Sequence, residues 1–198
     1  MLRIVELLGL LAPVAGGLLL FLYRRRSMLA FTWGVVACVL GLIASGMGLI
    51  GVRFSIVSAY RSDSGVDGVL EMLDVWILLR FGLLFVAGLV LVIAAIIDRE
   101  SKPPISWIIV GLAVMVSGLG AHFIEPDLGA DHERLGRILA VVIEIIQHGL
   151  LGVGFLILCV AAIANRPSDD DRIEPTELFR NVGGAAWRSY LDIRKGNS

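Results

Sequence analysis

Before residue 164 polar residues break this chain in only four places, and between the breaks it reads as long apolar runs. The runs cover about 4–23, 29–51, 75–97, 105–124 and 137–164. A helix rises about 1.5 Å per residue, so about 20 apolar residues cross a hydrocarbon layer of about 30 Å. Each run meets that length, and the pattern predicts an all-α, polytopic transmembrane bundle with five membrane-spanning helices. The breaks have stop and start chemistry. Arg24-Arg25-Arg26 is a basic turn, 53–74 is polar with Gly65 and Gly68, 98–104 ends in Pro103-Pro104, and 125–134 is acidic. Proline ends one helix and begins the next because it lacks an N–H and fixes φ.

The first run, Ile4 to Tyr23, exceeds the about 7–15 residues of a secretory-signal core. It is followed by arginines rather than a small-residue cleavage site, so a retained helix is expected. Composition agrees: 57% of residues are hydrophobic and 18% charged, with a mean hydropathy of +0.86. Soluble domains hold about 45–50% and about 25%. The 23 glycines fit helices packed closely in lipid. A disordered chain, a collagen and a disulfide scaffold are excluded, and the composition argues against a soluble enzyme. Cys38 and Cys159 lie inside apolar runs, where they are expected as small buried hydrophobes.

Lys and Arg set the expected orientation. The turn at 24–26, the loop at 98–104 and the tail together carry 11, and the opposite face carries 5. The positive-inside rule then places the N-terminus outside and the C-terminus inside. The outer loops hold Asp63, Asp67, Glu71, Asp74, Glu125, Asp127, Asp131 and Glu133, an electronegative surface. The chain thus divides into a bundle over 1–164 and a cytoplasmic tail over 165–198. In the tail an amphipathic helix is expected over about 175–194. Leu178, Phe179, Arg180, Trp187, Arg188 and Tyr190 would meet the bilayer surface or a partner protein.

The second and fourth runs share features. Each begins with a hydroxyl residue and tryptophan (Thr32-Trp33, Ser106-Trp107) and each ends in Ser-Gly-X-Gly (Ser45 to Gly48, Ser117 to Gly120). A tandem duplicated helical hairpin, helices two and three against four and five, is one expectation. Gly34, Gly41 and Gly48, and Gly111 with Gly118, recur at sevens, which keeps small residues on one packing seam.

Ionisable groups in lipid are costly and face the interior. Five qualify: Glu6, Arg80, His122, Glu144 and His148. Counted from the cytoplasmic end of each helix, four lie at a height of about 25 Å and Glu144 at about 30 Å. The expected contact is an Arg80–Glu144 ion pair with His148 beside it. Three uses are open for this polar layer. It could fix helix register, carry protons or cations through glutamate and histidine, or bind a cofactor. For the last, His122 and His148 could be axial ligands of haem b. Alternatively His122, Glu125, His132, Glu144 and His148 could supply ligands for a divalent metal.

No phosphate-binding loop, HExxH, nucleophile elbow or CxxC occurs. The expectation is therefore a non-enzymatic integral membrane protein without cofactor, acting as a homo-oligomeric or complex-forming membrane subunit with a docking tail. A small oligomeric ion or proton channel and a haem- or metal-bearing redox subunit are the alternatives. The expected partners are the lipid bilayer, a second copy of the chain or another protein, with no nucleic acid. The default location is the plasma membrane, as a multi-pass protein of the bacterial inner membrane.

Overall fold

A computed structural model describes residues 2–62, 65–98, 103–121, 133–164 and 166, with Thr176, Glu177, Asn181 and Gly184. Among the described residues the chain is all helical. The helices are α1 (Leu2–Leu22), α2 (Met28–Ser62), α3 (Gly65–Ile96), α4 (Ile105–Ala121) and α5 (Glu133–Ile163), with a 3-10 turn at Arg24–Arg26 between α1 and α2. Three helices contain a stretch long and apolar enough to cross a membrane: Met28–Gly48, Val75–Ile96 and Val141–Ile163. α1 and α4 offer shorter apolar stretches, Leu10–Leu22 and Ile105–Ala121.

Helix α5 is the centre of the bundle, and each of the other four packs on it or on its immediate neighbours. From Ile157 to Ala164 every residue of the chain is buried. That half of α5 is apolar all round, as a helix enclosed by others must be. The other half is different. Leu135, Ile138, Leu139, Val142, Ile145 and Ile146 are exposed large hydrophobics. The bundle is therefore closed around α5 at the end bearing Arg24–Arg26 and more open at the other.

Small residues let the backbones meet. A Cβ on Gly154 of α5 would lie 2.8 Å from the Met115 nitrogen and 2.9 Å from the Gly111 oxygen of α4. Only glycine fits there, because main chain cannot rotate away as a side chain can. The glycines spaced by seven serve different neighbours in the two helices. In α2, Gly34 receives Leu20 of α1, Gly41 receives Pro13 of α1 and Phe155 of α5, and Gly48 receives Arg80 of α3. In α4, Gly111 and Gly118 receive Leu158 and Leu151 of α5. The two cysteines approach each other across α2 and α5. Both sulfurs lie over Gly16-Gly17 of α1. They are buried, as expected, but as a neighbouring pair.

The polar stretch 53–74, expected as a loop, is helical wherever it is described. α2 runs on to Ser62 and α3 begins at Gly65. Hydropathy marks where a helix can leave lipid; it does not mark where its hydrogen-bond ladder stops. Two helices of 35 and 32 residues form one long hairpin. Its middle is held by Trp76, which packs on Gly51 and meets Phe54 edge-on at 6.0 Å.

Hydroxyls on the apolar helices bond to their own main chain. Thr32 donates to the Met28 carbonyl at 2.8 Å and Ser117 to the Ala113 carbonyl at 2.8 Å. This satisfies a polar group where no water is at hand.

Candidate functional site: an interior arginine–histidine contact

Arg80 sits on α3 within an apolar stretch, and His148 sits on α5. Arg80 Nη2 donates to His148 Nε2 at 2.7 Å. A guanidinium carries only donors, so Nε2 must be the acceptor. The imidazole proton is then on Nδ1, which donates to the Glu144 carbonyl one turn earlier at 2.9 Å. The two bonds together define a neutral histidine in the Nδ1–H form. An imidazolium would present a proton at Nε2 and lose the contact.

Gly48 makes room for this arginine. A Cβ there would lie 2.9 Å from Arg80 Cζ and Nη1 and 3.2 Å from Nε. The guanidinium therefore lies against the bare main chain of α2. A charged side chain in a helix interior needs such a gap, since the helix carbonyls around it already accept from their own ladder.

A cleft beside the pair is lined by Ala12 and Pro13 of α1, Ser45 of α2, Arg80 and Leu84 of α3, and His148, Leu151, Gly152 and Phe155 of α5. Its volume open to water centres is about 20 Å³. A water needs about 10–15 Å³ by that measure, so the cleft has room for about one. Ser45 and His148 are buried. Four helices thus meet at one polar point.

Of the five intramembrane groups read from sequence, Arg80 and His148 come together. Glu144 enters through its main-chain carbonyl, and the expected Arg80–Glu144 carboxylate pair is not among the described contacts. Glu144 and His148 lie on one face of α5, one turn apart, and it is the histidine that stands level with Arg80. The Glu6 side chain and the whole of His122 lie outside what is described. The same holds for Glu125 and His132, and for Leu178, Phe179, Arg180, Trp187, Arg188 and Tyr190 in the tail. The described tail residues Thr176, Glu177, Asn181 and Gly184 are helical. Among the described residues no three His, Cys, Asp or Glu side chains converge as a metal site. Both ring nitrogens of His148 are engaged, so this arrangement does not fit an axial haem ligand, which needs one of them free.

A further arginine, Arg166, counts in the sequence only as one tail charge, yet the fold buries it. It is 5% exposed. Its Nε donates to the Ala162 carbonyl at 2.9 Å, and Nη1 to the Asp98 carbonyl at 2.8 Å. Nη2 reaches the Ala94 and Ile97 carbonyls at 2.9 and 2.8 Å. The Ala94 and Ala162 carbonyls belong to the last turns of α3 and α5, and those of Ile97 and Asp98 follow directly on α3, where the helix offers no N–H to bond them. The arginine also meets the negative end of each helix dipole. Burial lowers the guanidinium's proton affinity from its ordinary value, and the Asp98 charge offsets part of that.

Asp98 itself has φ 54, the left-handed conformation that ends a helix and that aspartate tolerates. Its carboxylate accepts from Ser27 Oγ at 2.7 Å. Ser27 Oγ in turn accepts from the Ala30 N–H at 3.1 Å, capping α2. One network therefore ties the start of α2 to the ends of α3 and α5. The signal that could have found it is a basic residue just past an apolar helix, a recognised C-terminal cap.

No protein-family model, no curated protein and no solved structure matches the chain.

Proposed function

We propose that the chain is a non-enzymatic multi-pass membrane protein that acts as a structural subunit, assembled with itself or with another membrane protein. The Arg80–His148 contact carries this reading. It joins two helices, rests on a third through Gly48, and leaves beside it room for about a single water. That is the geometry of a fastener fixing helix register. A relay would use a histidine free to exchange its proton on both sides.

In this reading the chain crosses the membrane five times, with the N-terminus outside and the C-terminus inside. The apolar stretches Leu10–Leu22 of α1 and Ile105–Ala121 of α4 serve as the additional spans. The orientation rests on the lysine and arginine count. Arg166 bonds to protein carbonyls, and setting it aside still leaves the Arg24–Arg26 end twice as basic as the other. The exposed apolar half of α5 is then available to lipid or to a membrane partner.

The alternative is a small proton or cation conductor, favoured by the convergence of Arg80, His148 and Ser45 on one cleft. Proteoliposomes separate the two. A fastener leaves an imposed pH gradient decaying at the rate of protein-free vesicles. A gradient that collapses with the wild-type chain and persists with His148→Leu would assign conduction.

A further inference from the structure

Three arginines occupy the turn between α1 and α2, yet the structure gives them different surroundings. Arg26 Cζ lies 5.1 Å from the ring centroid of Tyr23, a buried residue, so this arginine leans toward the bundle. Arg24 Cζ lies 4.6 Å from the Phe21 ring, and Arg24 and Arg25 are both exposed. Between them and the end of α1 is a cleft of about 130 Å³ lined by Phe21, Leu22, Arg24 and Arg25. Its lining is mixed: two cations on one side and, on the other, the side chains of Phe21 and Leu22, each 50% exposed.

We propose that this cleft seats the headgroup phosphate of an anionic phospholipid, held by Arg24 and Arg25, with an acyl chain running along Phe21 and Leu22. The proposal rests on the membrane reading given above. The chemistry is complementary on both parts of the ligand. Guanidinium forks match phosphate oxygens in pairs, whereas an ammonium meets them as a point charge. The apolar part of the cleft lies on the side of the turn that continues into the α1 stretch Leu10–Leu22, where the acyl chain must go. The stacking of Arg24 on Phe21 holds the guanidinium in place before the lipid arrives. Free phosphate would use the arginines alone and gain nothing from Phe21 and Leu22.

Native mass spectrometry of the full chain, released from detergent with added phosphatidylglycerol or phosphatidylcholine, tests the seat. Phosphatidylglycerol should be retained and phosphatidylcholine lost. Arg24→Gln with Arg25→Gln should weaken phosphatidylglycerol retention about tenfold, and Arg26→Gln less than about twofold. Arg24→Lys with Arg25→Lys keeps the charge and removes the fork, and should fall between the two. Circular dichroism of each variant, unchanged from wild type, shows that the fold is intact. Equal losses from all three arginines would mean diffuse surface charge and overturn the seat. Equal retention of both lipids, or displacement of phosphatidylglycerol by millimolar inorganic phosphate, would overturn it too. Alkaline carbonate extraction reads the membrane assignment separately. A chain that stays in the bilayer but fails the lipid test sinks the seat alone, and a chain that is released sinks both.

Discussion

Arg80 and Arg166 are the same side chain packed into two regions of one bundle, the first half-buried and the second buried, and they are satisfied in opposite ways. At the closed end, Arg166 needs no side-chain partner. Four main-chain carbonyls receive it, because the C-terminal ends of α3 and α5 leave those oxygens without donors. In the interior, Arg80 stands among mid-helix carbonyls that already accept from their own helix ladder. It requires a neutral histidine on another helix and a glycine to lie against. A helix end can therefore accept a buried cation with little sequence specification. A helix middle accepts one only when two other residues are of the right kind. The interior site should consequently be the more fragile of the two.

The largest effect is expected there. His148→Leu removes the Nη2 acceptor in apolar surroundings and should cost about 3 kcal/mol of stability, read by denaturant unfolding in lipid nanodiscs. At the closed end, Arg166→Ala should cost about 2 kcal/mol. The charge leaves with the side chain, and the freed carbonyls lie near the bundle end, where water can reach them. Arg166→Lys should recover less than half of that, because one ammonium cannot span carbonyls on two helices. A loss from Arg166→Ala larger than from His148→Leu would reverse the comparison. The smallest effect is sharper in kind. Gly48→Ala should cost about 1 kcal/mol, since its Cβ must push the Arg80 guanidinium aside. Combined with Arg80→Leu, which removes the guanidinium, most of that cost should vanish when the two unfolding curves are compared.

Much of this architecture was legible in the residue pattern, and the exceptions have physical reasons. Pro103-Pro104 and the arginine run mark helix ends by chemistry that acts on the backbone itself, and α4 starts at Ile105 accordingly. The apolar pattern ends near 51 and resumes near 75, yet the helices of the α2–α3 hairpin reach Ser62 and restart at Gly65. Polar residues there end the stretch that suits lipid while leaving the backbone free to stay helical. Arg80 and His148 stood out because charge in an apolar run is expensive. Their pairing did not, because Glu144 and His148 lie one turn apart on the same face and only the three-dimensional register decides between them. Arg166 was hidden for a different reason. Hydropathy counts its charge, but the demand it meets belongs to main-chain oxygens that no residue letter records.

A double-mutant cycle on Arg80 and His148 tests most directly whether the interior contact is a fastener. Arg80→Leu, His148→Leu and the double variant would be unfolded in the same nanodiscs as wild type. The account predicts a coupling energy of about 1.5–3 kcal/mol, with the double variant losing clearly less than the two single losses added. Strictly additive losses would contradict it, because they would mean that the two side chains stabilise the bundle independently of each other.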